Sequence, residues 1–396
     1  MAIERITTHQ SSLTFHKNKV EKEYLKEHEK NHLSSVKNEL YCLSKFSYKN
    51  KKYSPQILSS SKYGYVIKRY DFSLGNTKRI SEPHIRRLLF TCSPKEIIKQ
   101  LNEIESILKK RGIVHKDINP GNFLFCEKEK TLKLIDFYWA STENINKEIV
   151  RGINGIYKKD PDAFNRIRKE IKEIVKKVKQ EVDKSKQILS KLGEVYYDGS
   201  AKHKGKTYHP IDIPYFKSNL FHKEIVYEFN NIVSNIKNPI ESVIDIGCAA
   251  GFYLFNFIRM FNIEKGFGFE ADPVMLSFLK EAKNMFNLNE LQFNNNVTHK
   301  TRFPKVDLVI CMNVHMWLVK QFGRKADVIV ANLIKNSEEM FFQTAHAESA
   351  GIYKVKWLKN KNDIQKYLED LGGKKVSLID TSKRGGLRYL FKVEDS

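Results

Sequence analysis

The sequence reads as an α/β multidomain chain, and three stretches of its 396 residues carry that reading. In residues 115–140, His115-x-Asp117 precedes Asn122, and an alternating strand-like run at 131–134 delivers Asp136. Residues 161–192 contain no glycine and no internal proline, so they read as one long helix. In residues 242–252, SVIDIGCAAGF, an apolar strand ends in Asp245 and turns through Gly247-x-x-x-Gly251 into a helix. The length prior is two or three domains. We place the boundaries at 1–160, 161–193 and 194–396.

Composition narrows the classes. No run of about 18 apolar residues occurs, so no membrane span is expected. The segment MAIERITTHQ lacks an apolar core and does not read as a secretory signal. Cys42, Cys92, Cys126, Cys248 and Cys311 are scattered with no CxxC pair, which points to buried thiols in a reducing cytoplasm rather than zinc ligands. The net charge of +23 fits anionic partners: nucleotides, phosphorylated substrates, RNA, or an anionic surface at the inner face of the membrane. A lysine-rich proteome would produce the same charge.

In the front part, residues 14–24 read as strands, with Val20-x-Lys22-x-Tyr24 alternating. A helix follows over 32–46, with Leu33, Val36, Leu40 and Leu43 at helical spacing and Glu39 among them. Residues 63–70 read as a strand connecting two lobes, and 86–111 as helices leading into the loop at 115. His115-Lys116-Asp117-Ile118-Asn119-Pro120-Gly121-Asn122 and Ile135-Asp136-Phe137-x-x-Ala140 together resemble the bilobal protein-kinase-like fold (α+β), specifically kinases of sugars, aminoglycosides, choline and lipopolysaccharide. That resemblance implies ATP and Mg²⁺. Asp117 would orient the attacking hydroxyl, while Asn122 and Asp136 would hold the metal on the nucleotide phosphates. A strand lysine would contact the phosphates and pair with a helix glutamate. Lys22 and Glu39 are the candidates for this pair, with Lys17, Lys19 and Lys68 competing for the lysine role. Three kinase features are missing: no GxGxxG precedes Lys22, Phe137 is followed by tyrosine rather than glycine, and no Ala-Pro-Glu follows. No platform for a peptide substrate is therefore visible.

The helix at 161–192 carries a stripe of Phe164, Ile167, Ile171, Ile174, Val178, Val182, Leu189 and Leu192, with Ser185 filling one seam position. Asp160-Pro161-Asp162 supplies a start and Gly193 a stop. The stripe packs either on a neighbouring domain or on a second copy, as a coiled-coil homo-oligomer.

In the back part, residues 222–234 form an amphipathic helix ahead of the glycine turn. A strand at 266–269 ends at Glu270, a run at 293–295 reaches Asn295, and a strand at 306–311 leads through Cys311 into Met312-Asn313-Val314-His315. Runs at 339–343, 375–380 and 387–393 supply the last strands, including an antiparallel closing pair. This pattern resembles the Rossmann-like class I S-adenosylmethionine-dependent methyltransferases, with a mostly parallel seven-stranded sheet; Ala249 stands where a middle glycine sometimes occurs. A dinucleotide-dependent dehydrogenase shares the glycine turn. The resemblance implies cofactor contacts at Asp245, Gly247, Cys248, Gly251, Glu270, Asn295 and Cys311, and it offers His315 as a general base. Neither Asn-Pro-Pro-Tyr nor Pro-Cys is present, which argues against base methylation of nucleic acid.

Together the two halves resemble, in domain content, the bifunctional methyltransferase–kinase enzymes that cap bacterial surface polysaccharides, with the domain order reversed. The implied function is phosphorylation of a glycan or small-molecule hydroxyl followed by methylation of the product. Two alternatives stand beside it: an RNA-modifying methyltransferase with an ATP-binding domain, and a methyltransferase regulated by an inactive kinase domain.

Overall fold

A computed structural model of the chain describes residues 4–7, 11–16, 18–24, 29–49, 51–61, 64–76, 78–142, 160–196, 210–217, 224–261, 263–349, 354–382 and 387–395. The chain divides into two compact units, Met1–Val178 and Lys179–Ser396. The division falls inside a helix, whereas the sequence reading treats that helix as a segment of its own.

Unit 1 opens with strands β1 (Glu4–Thr7), β2 (Ser11–Phe15) and β3 (Lys19–Tyr24), then helix α1 (Glu29–Ser47), then β4 (Ile57–Ser61) and β5 (Gly64–Lys68). The five strands form one antiparallel sheet in the order β1-β2-β3-β5-β4. The register sets Lys22 of β3 opposite Tyr65 of β5. On α1, Glu39, Cys42, Leu43 and Phe46 recur at three- and four-residue steps and are all buried, so Glu39 lies on the apolar face. A carboxylate on that face needs a partner.

A second group of elements follows: β6 (Phe72–Ser73), α2 (Glu82–Thr91), α3 (Pro94–Lys110), β7 (Ile113–Val114), β8 (Phe123–Cys126), β9 (Thr131–Leu134) and β10 (Ser141–Thr142). Ser93 caps α3 by accepting the Glu96 N–H at 3.2 Å, with Pro94 in the first turn. The sheets β6-β8-β9 and β7-β10 hold the ends of the loop at 115–122. The Ile135 N–H donates to the Asn122 carbonyl at 3.0 Å, bringing the start of β8 beside the end of β9.

Helix α4 (Asp160–Tyr196) runs through Gly193, which therefore does not stop it. A single glycine costs a helix only about 1 kcal/mol. Phe164, Ile167, Ile171, Ile174, Val178, Val182 and Ser185 are buried within the single chain. The side chains of Leu189 and Leu192 lie outside the described residues. None of the described helices is long and apolar enough to cross a membrane.

Unit 2 contains β11 (Asp212–Ile213), β12 (Phe216–Lys217), α5 (Glu224–Asn235), β13 (Ser242–Ile246), α6 (Phe252–Met260), β14 (Lys265–Phe269), α7 (Pro273–Met285) and β15 (Leu291–Asn294). Then come β16 (Val306–Met312), α8 (His315–Phe322), α9 (Ala326–Lys335), β17 (Ser337–Thr344), α10 (Lys361–Gly372), β18 (Lys375–Ser382) and β19 (Arg388–Glu394). Seven strands form one sheet in the order β15-β14-β13-β16-β17-β19-β18. The first five are parallel, and β19 runs antiparallel between β17 and β18. Strands β13 and β16 are nearly continuous apolar runs and are buried along most of their length, the pattern of strands in the middle of a parallel sheet. Chain order reverses between these two strands, and in open α/β sheets ligands bind at the carboxyl ends of such a pair.

Candidate active sites

In unit 1 the site is built from paired side chains. The Lys22 ammonium lies 2.8 Å from Asp136 Oδ1 and 3.3 Å from both Glu39 oxygens. Glu39 is fully buried and also accepts the Tyr65 hydroxyl at 2.8 Å. The pairing explains why a carboxylate survives on the apolar face of α1. It also selects among the lysines: Lys19 lies 2.6 Å from Glu21 and Lys68 3.5 Å from Glu129, while Lys17 lies outside the described residues. Asp136 takes a left-handed backbone at φ 61°, which aims its carboxylate away from the run of β9. Burial opposes its charge, yet Lys22, with His115 behind it, holds its carboxyl below the usual carboxylate range.

The Asp117 carboxylate is gripped by two side-chain amides. Asn119 Nδ2 donates to Oδ1 at 2.9 Å and Asn122 Nδ2 to Oδ2 at 3.0 Å. Donating through nitrogen leaves the Asn122 amide oxygen as an acceptor for a cation. His115 is fully buried, with Nε2 3.0 Å from the Ile135 carbonyl and its ring 4.7 Å from that of Phe137. Sequence reasoning missed Asp160, the first residue of α4. Its carboxylate accepts the backbone N–H groups of His115 at 2.7 Å and Lys116 at 3.0 Å, so it anchors the loop that presents Asp117. The sequence marks this residue only as a helix start, and nothing local signals the longer reach. Among the described residues no group of three or more His, Cys, Asp and Glu side chains could hold a metal ion. Any metal here would rest on the Asn122 amide and the Asp136 carboxylate, both hard oxygen donors.

In unit 2 the site is built from backbone. Gly247 and Gly251 have φ of 66° and 78°, and Ala249 between them 48°. A Cβ on Gly247 would lie 2.7 Å from Val314 Cγ2, and one on Gly251 2.7 Å from Leu279 Cδ2. Both positions therefore require glycine for the turn to seat against its neighbours. The Gly247 and Cys248 N–H groups bond to the Phe269 carbonyl at 2.8 and 3.0 Å, closing the turn onto β14. Glu270, just past β14, accepts the Ala249 N–H at 2.7 Å and the Asp272 N–H at 2.8 Å, which leaves acceptor capacity on each oxygen. Asp245 is buried, and its Oδ2 has no hydrogen-bond partner among the described residues. Burial first, and Glu270 second, push its carboxyl well above the usual range. Asn295 is exposed just beyond β15.

Two expectations need correction. The Cys311 side chain is fully buried in the hydrophobic core with Val309, Ile329 and Phe342, so only its backbone can line a ligand site. His315 is also fully buried: Nδ1 lies 3.2 Å from the Thr344 hydroxyl and Nε2 3.1 Å from that of Tyr367. Burial, then Arg324, push its pKa down to about 3. With both ring nitrogens engaged, it is a wall residue and not a base that an acceptor can reach.

Instead, the end of β16 presents Asn313, left-handed at φ 59°, next to Val314 and hence to the Gly247 turn. The Arg388 guanidinium donates to Asn313 Oδ1, and the Asn313 amide donates to Gln343, which in turn donates to buried Glu228 at 3.2 Å. Arg388 is itself buried. Nothing in the sequence signals this network, because its members come from four separate elements.

No protein-family model matches the chain. A calcium and calcium/calmodulin-dependent serine/threonine-protein kinase of Oryza sativa subsp. japonica is 36% identical over 72 residues, or 18% of this chain and 14% of that protein. Solved structures similar to this chain include the bifunctional kinase-methyltransferase WbdD (TM-score 0.40, 14% identity, 53% of this chain and 46% of that one). EvdMO1 is similar at a TM-score of 0.37 and 10% identity over 49% of this chain and 46% of that one. Magnesium protoporphyrin IX methyltransferase from Synechocystis PCC 6803, with bound SAH, is similar at 0.34 and 18% identity over 44% and 83%. The chain thus spans less than half of the first two structures and about a seventh of the curated kinase.

Proposed function

We propose that the chain is a bifunctional transferase. In this reading unit 1, a bilobal kinase-like fold, phosphorylates a hydroxyl of a glycan or small-molecule acceptor with ATP. Unit 2, a class I methyltransferase, methylates the product with S-adenosylmethionine at the phosphate or a neighbouring hydroxyl. The observation that carries it is Lys22, drawn both onto Glu39, 17 positions away, and onto Asp136, 114 positions away. A solvated surface lysine has no reason to take both partners.

The residues divide the work as follows. Glu39 and Tyr65 fix the Lys22 ammonium, which positions the nucleotide phosphates. Asn122 and Asp136 would hold Mg²⁺, which when bound would neutralise charge on the transferred phosphoryl group. The two amides hold Asp117 in place to accept the proton of the acceptor hydroxyl. Asp160 keeps that loop in position. In unit 2 the two glycines of the Gly247–Gly251 turn let its backbone approach the methyl donor closely, and the Asp245 oxygen that has no partner among the described residues can hydrogen-bond to it. Methyl transfer then needs alignment above all. The Arg388 cation beside Asn313 favours an anionic acceptor group, such as the phosphate installed by unit 1.

Incubation of the full chain with ATP, S-adenosylmethionine and sugar acceptors, read by mass spectrometry, tests this. Products gaining about 80 and then about 14 mass units are expected. Phosphate incorporation left intact by Asp117→Asn would refute the reading.

A further inference from the structure

A stripe of aromatic and basic side chains on unit 2 takes no part in either site. Two of the chain's three tryptophans are on it: Trp317 on α8 is 46% exposed, and Trp357, just before α10, is 37% exposed. Lys320 lies over the Trp317 ring at 5.3 Å and Arg324 over the Trp357 ring at 4.7 Å. Trp317 and Lys320 are three residues apart on α8 and so share a face, and Arg324, in the turn that follows α8, reaches Trp357. Val328, beside the Asp327 that Arg324 grips at 3.0 Å, is 47% exposed. Residues 317–328 and 354–361 together hold seven lysines and arginines against one acid, Asp327.

We infer that this stripe docks unit 2 onto an anionic lipid surface, with Trp317 and Trp357 seated at headgroup level. Tryptophan prefers that depth because its ring is apolar and its N–H is polar. Basic side chains near an anionic bilayer each add attraction that falls off within a Debye length. Nucleic acid would answer the same charge, but base stacking needs open ring faces. Here each tryptophan already carries a cation on one face, and the exposed neighbour Val328 is aliphatic. The stripe starts beside the methyl-donor turn, since α8 begins directly after Val314. A substrate carried on the lipid surface would therefore arrive at the acceptor side of that turn.

Sedimentation of the full chain with vesicles tests the inference without any turnover. Phosphatidylcholine alone should retain little protein, and phosphatidylcholine with phosphatidylglycerol at about two to one should retain most of it. Brominated lipid should quench the tryptophan fluorescence. Trp317→Ala with Trp357→Ala keeps every charge, so a general attraction of this basic chain would survive it; about a tenfold loss of vesicle affinity is expected instead. Should that variant unfold, Lys320→Glu with Lys356→Glu carries the same expectation of about tenfold. The inference is overturned by no retention on anionic vesicles or by retention unchanged in the variants. Retention of single-stranded RNA that the tryptophan variant abolishes, with no vesicle binding, would also overturn it.

Discussion

In the proposed reading each candidate site would hold a nucleotide-derived ligand, and the two are built from opposite materials. Unit 1 uses charged side chains: Lys22, Glu39 and Asp136 find one another across the fold, and Asp117 is held by two amides. Unit 2 uses a backbone turn that works because Gly247 and Gly251 lack side chains. A site made of side chains fails when a charge is removed, and a site made of backbone fails when an atom is added. The difference sets what each substitution should do.

The largest effect should come from removing charge in unit 1. Asp136→Ala or Asp117→Asn should lower phosphate incorporation by about 10³-fold while leaving S-adenosylmethionine binding, measured by calorimetry, unchanged. Adding an atom in unit 2 comes next. Gly247→Val places carbon 2.7 Å from Val314 in a left-handed backbone and should weaken S-adenosylmethionine binding by about 100-fold, with ATP binding intact. If either change disables both ligands, the two sites are not independent and the contrast collapses. A smaller effect separates the competing lysines: Lys22→Met should raise KM for ATP about tenfold, whereas Lys68→Met, on an exposed pair, should leave it unchanged.

The smallest effect concerns His315. Burial keeps its imidazole neutral in the folded chain, with a pKa of about 3 against the ordinary 6.5, so on acidification the unfolded chain takes up the proton first. The stability it contributes is complete above about pH 6.5 and drains away toward pH 3, at about 1.4 kcal/mol per unit. Replacement by phenylalanine should flatten the pH dependence of denaturant unfolding over that window. The pH profile of methyl transfer should not move; if it did, His315 would be acting on the acceptor after all.

The sequence carried the loop at 115–122, Asp136 and the glycine turn because each is local: the chemistry and the spacing lie within about a dozen residues. The succession of strands along unit 2 was legible for the same reason, since apolar runs and their terminal polar residues alternate regularly. Three kinds of feature were hidden. The choice of Lys22 over Lys19 and Lys68 depends on strand register, which decides the face each side chain takes. Cys311 and His315 sit next to ligand-facing residues, yet their side chains point into the core, and a shift of one position reverses such an outcome. Asp160 and Arg388 act on residues far away in sequence, the first through a carboxylate at a helix start and the second through a guanidinium at a strand start. Neither residue stands out in a chain with this many charges.

The contact between Lys22 and Asp136 has one more consequence. The Lys22 ammonium balances the Asp136 carboxylate, so in the proposed reading a divalent ion arriving alone would have to displace a cation, and a nucleotide arriving alone would have to pull that cation off its anion. Arriving together, they would swap partners: Asp136 would take the metal and Lys22 the phosphate. Occupancy should therefore be cooperative, with each species titrating more tightly in the presence of the other than by itself.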